Sequence, residues 1–129
     1  MRIDIPSEIQ EAIDRLFSAW NARDIEAFLA CFDPSYESRW PCHPDRDFVG
    51  SDTVRDRWSG NFARMPDFAA QLLGLAVAAD GSAWVETRWR GTRPDGTVFD
   101  EMGVVVYGVR EGRIVSGRLY LEPVPPTPS

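Results

Sequence analysis

One apolar segment in the second half of the chain constrains the fold most. Residues 104–107 read Val-Val-Val-Tyr without a polar interruption. A run of this kind is typical of a strand that is covered on both faces. Glu111-Gly112 then predicts a turn, and the apolar residues within 114–121 predict the return strand. Because two strands alone cannot bury so much apolar surface, we expect the rest of the chain to supply more strands and a covering layer.

Length and charge narrow the class of protein. The chain has 129 residues, 43% of them hydrophobic, which is enough for one core and too few for two. We therefore expect a single domain over 1–129, with its core at about 8–122 and a proline-rich tail over 123–129. A net charge of -6 disfavours nucleic acid as a partner. No signal peptide and no membrane-spanning run are recognisable, which predicts a soluble, cytoplasmic protein.

The N-terminal half has helical periodicity. Ser7 and Gln10 resemble a capping box and predict the start of a first helix. Its apolar residues recur every three or four positions and form one stripe: Ile9, Ile13, Leu16, Phe17 and Trp20. Asp24 is suited to cap a second helix, whose buried side would carry Ile25, Phe28, Leu29 and Phe32. A third helix is predicted between Gly50 and Pro66.

Strand-like spacing follows the helices. A short strand is predicted over 36–40, and four longer strands follow Phe68. The turns between the longer strands are marked by three dipeptides: Asp80-Gly81, Asp95-Gly96 and Glu111-Gly112. If the second turn has two residues, Arg88 lies opposite Gly103. The third turn has either two or three residues, and these alternatives exchange the two faces of the last strand.

Three segments together resemble the nuclear transport factor 2-like superfamily, and its SnoaL-like branch in particular: LFSAWNARDIEAFLACFDP, GSDTVRDRW and VREGRIVSGRLYLE. The resemblance covers about 8–122. It implies an α+β fold, in which a cone-shaped, curved antiparallel sheet wraps around three N-terminal helices. It also implies a pocket between the sheet and the helices, and commonly a homodimer. Because this scaffold carries many activities, the resemblance alone does not define a function.

The apolar pattern and the resemblance favour opposite faces of the sheet. The pattern alone turns one apolar set toward the helices: Val85, Trp89, Met102, Val104 and Val106. The resemblance implies that the other set lines the pocket: Trp84, Glu86, Arg88, Val105, Tyr107, Gly117, Leu119 and Leu121. We follow the resemblance, which requires a three-residue last turn. The apolar set then forms the outer face and predicts a homodimer through that face.

Candidate catalytic residues are Glu86, Arg88 and His43. Glu86 and Arg88 share a strand face, where a carboxylate and a guanidinium could bind a polar ligand or position a water. Arg88 is expected to orient an acidic ligand. His43 is the only histidine and has an ordinary pKa near neutrality. The predicted ligand-binding residues are Trp40, Trp58, Trp84, Arg90, Glu101, Tyr107 and Leu119. Alternatively, the charged residues form a structural salt-bridge ladder.

The resemblance also argues against two reactions. The catalytic positions of the ketosteroid isomerase branch fall on Leu16, Trp40 and Val105, which are all apolar. In the limonene epoxide hydrolase branch, an arginine–aspartate pair falls on Glu86 and Arg88 with the charges reversed, and its second aspartate falls on Leu119. No cofactor is predicted. Cys42-His43 offers at most two ligands, so no metal site is predicted either.

These observations predict a protein that binds a small, partly apolar organic molecule. It would act as a cyclase-, isomerase- or dehydratase-type enzyme, or it would be a non-catalytic ligand-binding or dimerisation module. An open pocket with charged groups inside favours the enzyme, whereas a cavity filled by tryptophans favours the module.

Overall fold

A computed structural model describes residues 4–126, which form three α-helices and one six-stranded sheet. The helices are α1 (Ser7–Ala22), α2 (Ile25–Leu29) and α3 (Ser51–Arg64), and a single 3-10 turn spans Pro44–Arg46. The strands are β1 (Phe32–Arg39), β2 (Phe48–Val49), β3 (Ala69–Val77), β4 (Ala83–Thr92), β5 (Val98–Arg110) and β6 (Arg113–Pro123). Their order in the sheet is β2-β1-β6-β5-β4-β3, and only β1 and β6 pair in parallel. The predicted α+β architecture is confirmed.

The apolar stripe of α1 is buried against the sheet, as its spacing predicts. Ile13 and Leu16 have no exposed surface, and Trp20 is 2% exposed. The predicted capping box is wrong, because Pro6 is the N-cap residue and no side chain caps this helix. Asp24 does cap α2, and its Oδ1 accepts a hydrogen bond of 3.1 Å from the Ala27 N–H. Within the described residues, no helix is long and apolar enough to cross a membrane.

The C-terminal end of α1 is fastened to the edge strand β3. The Asn21 side chain donates to the Ala70 carbonyl at 2.9 Å and accepts from the Ala70 N–H at 2.7 Å. Arg23 donates from Nη1 to the Phe68 carbonyl at 2.9 Å. These bonds satisfy backbone groups that an edge strand would otherwise leave unpaired. They also fix the distance between the helix layer and the sheet.

Two of the three hairpin loops have one residue more than predicted. The backbone of Ala78 pairs with that of Ser82, and Arg93 pairs with Thr97, so each loop has three residues and ends in glycine. In each loop the aspartate that precedes the glycine accepts two hydrogen bonds from the Ser or Thr that follows the glycine. The backbone N–H donates at 2.9–3.0 Å and the hydroxyl donates at 2.6 Å. This aspartate–glycine–Ser/Thr arrangement stabilises the longer loop.

The extra residue moves every side chain of β4 to the opposite face from the one predicted. Val105 lies opposite Val85, and Gly103 lies opposite Thr87. Val85, Thr87 and Trp89 therefore face the helices and are buried. The predicted inward positions of four β4 residues are wrong, because they lie on the outer face: Trp84, Glu86, Arg88 and Arg90. Val85 and Trp89 are correspondingly absent from the outer apolar face to which the sequence assigned them.

The last hairpin combines the two alternatives. Arg110 pairs with Arg113 across a two-residue turn, in which Glu111 and Gly112 both have positive φ. The register between β5 and β6 then shifts by one residue, because Val109 pairs with Ile114 whereas Gly108 pairs with Ser116. The shift turns the rest of β6 as a three-residue loop would, and the inward positions predicted for this strand are confirmed by burial: Gly117, Leu119 and Leu121.

Candidate functional site

A cavity of about 250 Å³ lies between the sheet and the helices. Ten of its lining residues are aromatic: Trp20, Phe28, Phe32, Tyr36, Trp40, Phe48, Trp58, Trp89, Phe99 and Tyr107. The polar lining residues are Ser38, Arg46, Arg57, Asn61 and Glu101, and the aliphatic ones are Val54 and Leu119. Edge-to-face contacts among Trp20, Trp58 and Trp89, with ring centroids 4.9–5.4 Å apart, hold one wall in place. The tryptophans therefore line the cavity without filling it.

The predicted site residues separate into two groups. Five of the seven predicted ligand-binding residues line the cavity: Trp40, Trp58, Glu101, Tyr107 and Leu119. Trp84, Glu86, Arg88 and Arg90 lie on the other side of the sheet, as a consequence of the register of β4. The expected position of Arg88 inside the pocket is therefore corrected.

Arg88 takes part in an ion pair on the outer face. It donates from Nε and Nη2 to the two carboxylate oxygens of Asp100, at 2.9 and 2.7 Å. Arg90 approaches the same carboxylate at 3.6 Å. The hydrogen bonds from Arg88 lower the pKa of Asp100. The sequence left a structural salt-bridge ladder open as the alternative role of these charged residues. Arg88 and Arg90 do form such ion pairs, and their acidic partner is Asp100.

Glu101 is the one carboxyl among the described residues that line the cavity. It is half-buried on β5, opposite Trp89. Burial raises its pKa, and the positive charge of Arg46 opposes that shift without cancelling it. A carboxyl of this kind exchanges a proton with its surroundings closer to neutral pH than an exposed glutamate does.

Three residues that line the cavity on its sheet side carry hydroxyl groups: Tyr36, Ser38 and Tyr107. Ser38 on β1, Gly117 on β6 and Tyr107 on β5 occupy adjacent positions of three neighbouring strands. The Tyr36 hydroxyl lies above Gly117, where a Cβ would come within 2.6 Å of it. Burial raises the pKa of Tyr36 to about 12 and that of Tyr107 well above its ordinary value. Both phenols therefore remain protonated and can donate hydrogen bonds to a ligand oxygen.

Two indole N–H groups in the cavity wall have no hydrogen-bond acceptor. Trp20 Nε1 and Trp89 Nε1 are the buried, unpartnered polar side-chain atoms of residues 4–126. Their rings contact each other edge to face at 4.9 Å. Aromatic faces are weak acceptors, and an oxygen would be a stronger one. Both nitrogen atoms have almost no accessible surface, so these N–H groups lie within the packed wall and not on the surface that a ligand would contact.

His43 lies beside the cavity rather than in its lining. Its Nε2 is 2.8 Å from Glu122 Oε1. It is close enough to Glu101 that its positive charge, when protonated, lowers the pKa of that carboxyl. A catalytic role for His43 stays a prediction. Among the described residues, no group of three or more histidine, cysteine, aspartate or glutamate side chains is arranged to hold a metal ion.

Sequence reasoning missed several lining residues for identifiable reasons. Trp20 and Phe28 were assigned to the core by their helical spacing, which does not distinguish a core from a cavity wall. Tyr36 and Ser38 alternate on β1, and this pattern could have been recognised as one strand face. Trp89 was placed outside by the register error. Arg46 and Arg57 gave no signal, because neither a 3-10 turn nor the polar side of α3 stands out by pattern.

Comparison with known proteins fits this architecture. The family model for the SnoaL-like domain matches residues 13–117. The chain belongs to this family. No curated protein sequence is significantly similar to it.

Solved structures with this fold include a proposed isomerase from Bacillus subtilis, which is 17% identical over 91% of this chain and 90% of that one, with a TM-score of 0.77. A proposed SnoaL-like polyketide cyclase from Jannaschia sp. CCS1 is 18% identical over 95% and 90%, with a TM-score of 0.74. A hypothetical protein with a ketosteroid isomerase-like fold from Catenulispora acidiphila, solved in complex with trimethylamine, is 15% identical over 85% and 84%, with a TM-score of 0.72. At these identities the similarity shows the fold, and the last complex shows that the fold binds small molecules.

Proposed function

We propose that this SnoaL-like protein binds a small, largely apolar organic molecule in the aromatic cavity and transfers a proton on it through Glu101. The proposal places it among isomerase- or cyclase-type enzymes. The observation that carries it is a single half-buried carboxyl of raised pKa in a cavity that is otherwise lined mainly by aromatic rings. An apolar cavity with a few polar groups is the usual form of a small-molecule site.

The chemistry that suits these groups is proton abstraction next to a carbonyl. Glu101 would accept the proton from carbon and return it elsewhere on the ligand, which isomerises it or prepares ring closure. Negative charge then develops on the carbonyl oxygen. The protonated phenols of Tyr36 and Tyr107 are donors suited to that oxygen, because a low-dielectric cavity strengthens such hydrogen bonds. The proposal gives Glu101 the catalytic role that the sequence predicted for Glu86.

Hydrogen–deuterium exchange tests this function. The α-protons of 2-tetralone exchange slowly in buffered D2O, and their loss is followed by NMR. We expect the protein to accelerate the exchange and Glu101→Gln to reduce the acceleration by at least about a hundredfold, the usual contribution of a general base. Glu86→Gln removes the same charge from the outer face of the adjacent strand and should leave the rate unchanged. Full exchange activity in Glu101→Gln would contradict the proposal.

The same experiment distinguishes the non-catalytic alternative. A ligand-binding module would bind 2-tetralone, seen as changes in its NMR line widths, without accelerating exchange. The open cavity favours ligand binding over a purely structural role.

We also propose a homodimer through the outer face of the sheet. Large apolar side chains from three adjacent strands are 39–43% exposed there: Trp84, Met102 and Tyr120. Val104 lies between Glu86 and Tyr120 in the register. Exposed apolar groups on neighbouring strands are typical of an interface between copies of one chain.

A further inference from the structure

Two arginines lie at the aromatic cavity on different structural elements. Arg46 belongs to the 3-10 turn, and its guanidinium carbon is 4.9 Å from the centre of the Trp40 ring. Arg57 is on α3, and its guanidinium carbon is 4.5 Å from the centre of the Phe48 ring. Both arginines line the cavity together with the rings on which they stack. Stacking restricts where each guanidinium can be, because a cation above a ring face is attracted to it.

Neither guanidinium forms an ion pair with a carboxylate of residues 4–126. The ion pairs among residues 4–126 engage other cations: Arg39, His43, Arg55, Arg88 and Arg90. Glu101 feels the charge of Arg46, yet the two groups are not within ion-pair distance. Arg55, two residues before Arg57 on the same helix, shows the contrast, since Glu26 binds it at 2.7 and 3.2 Å.

The two arginines at the cavity contrast with the net negative charge of the chain. The chain has 20 acidic and 14 basic residues. In a chain with that excess of carboxylates, two guanidinium groups and only one carboxyl, Glu101, among the described residues that line the cavity are a local excess of positive charge. They offer an anion a favourable site on a protein whose net charge would otherwise repel it.

We propose that the ligand of this cavity is an organic carboxylate, whose apolar body lies among the aromatic rings and whose carboxylate is bound by Arg46 and Arg57. The inference rests on the proposed function in that it needs a ligand in the cavity, but not on catalysis by Glu101. A carboxylate matches the planar fork of a guanidinium, which can donate two parallel hydrogen bonds to it.

A matched pair of probes tests the charge requirement. The compounds are 2-naphthoate and 2-naphthamide, which have the same ring and nearly the same shape and differ in charge. Binding of each is measured by isothermal titration calorimetry at neutral pH and low ionic strength, where screening is weak. We expect 2-naphthoate to bind at least about tenfold more tightly than the amide, the gain typical of charge-assisted hydrogen bonds.

Three variants then assign the effect. Arg46→Gln and Arg57→Gln should each weaken 2-naphthoate binding about tenfold and leave 2-naphthamide binding unchanged. Arg118→Gln, on the exposed outer side of β6, removes the same charge far from the cavity and should change neither affinity more than about twofold, as expected for a screened surface charge. Thermal unfolding of all three variants verifies that they are folded.

The outcomes separate this inference from the proposed function. Equal binding of the two probes to the unmodified protein would overturn the inference and leave a small-molecule site intact. An equal loss in Arg57→Gln and Arg118→Gln would overturn it as well, because the effect would then come from net charge alone. Binding of neither probe would contradict both the inference and the proposed ligand site.

Discussion

At the scale of single residues, Glu101 couples the cavity to pH. Its folded-state pKa lies above its ordinary value of 4.5 because it is half-buried, so ionisation destabilises the folded state. The destabilisation is present above the folded pKa and disappears as the pH falls below 4.5. We therefore expect Glu101→Gln to unfold at a higher temperature than the unmodified protein at neutral pH, with the difference vanishing in acid.

Thermal unfolding over a pH series measures this effect. The matched control is Glu86→Gln, whose side chain is exposed on the outer face. It should not reproduce the pH-dependent difference. A Glu101→Gln variant that is less stable at neutral pH would show that this carboxyl stabilises the fold instead.

Phe28 tests the packing of the cavity wall. It is 1% exposed and contacts the rings of Trp20, Phe32 and Trp58, with centroids 5.1–5.7 Å apart. We expect Phe28→Ala to reduce the free energy of unfolding by about 3–5 kcal/mol, as for large-to-small changes in a core. Chemical denaturation measures it, and Val49→Ala, at a position 57% exposed, serves as the control. A loss below about 1 kcal/mol would mean that this ring is not part of a packed wall.

Single residues also show where sequence reasoning reaches its limit. Trp40, Trp58 and Tyr107 could be placed near a pocket because the resemblance supplied the fold around them. Glu86 and Arg88 could not be placed correctly, since the face of a strand residue depends on how many residues lie in the preceding or following loop. One additional residue in a loop therefore turns the side chains of a whole strand from the cavity to the outer face of the sheet, or the reverse.

At the scale of elements, the residue that follows each glycine indicates the length of the hairpin loop. Asp80-Gly81-Ser82 and Asp95-Gly96-Thr97 both place a hydroxyl residue after the glycine, within reach of the aspartate. Glu111-Gly112 is followed by Arg113 and forms the two-residue turn. Reading three residues instead of two would have predicted the register of β4 correctly. The compensating register shift in β6 has no comparable signal.

Two glycine substitutions should change stability in opposite directions. At Gly103 a Cβ would overlap the backbone oxygen of Tyr120, so Gly103→Ala is expected to reduce the free energy of unfolding by about 1–3 kcal/mol. At Gly60, inside α3, a Cβ meets only the end of the Arg64 side chain, at 3.4 Å. Gly60→Ala should therefore increase stability by about 0.5–1 kcal/mol. Denaturant midpoints measure both changes, and a neutral Gly103→Ala would contradict the close approach of β5 and β6.

At the scale of the whole molecule, the proposed dimer has a direct measurement. Sedimentation equilibrium should give twice the chain mass of 14.5 kDa. Val104→Lys should shift the protein toward the monomer, because it buries a charge in the centre of the proposed interface. Val49→Lys, on the short edge strand β2, should have no such effect. A monomer at micromolar concentration would exclude this use of the outer face.

The overall architecture was the part best predicted from sequence. Helical spacing, the three turn dipeptides and the family resemblance together gave three helices before a meander of four strands. The extent of β1 was underestimated, because its pairing with β6 is a long-range contact that no local pattern reveals. Phe32 was assigned to a helix for the same reason.

The parallel pairing of β1 with β6 has a consequence for how the chain is made. β1 precedes β6 in the chain, and β2, α3, β3, β4 and β5 lie between them, so the floor formed by Ser38, Gly117 and Tyr107 cannot assemble until β6 has been made and has paired with β1. Until then the aromatic side chains of the cavity wall have no sheet floor opposite them. A chain that has not yet paired β1 with β6 therefore leaves these aromatic side chains uncovered, and apolar surface exposed in this way favours aggregation during folding.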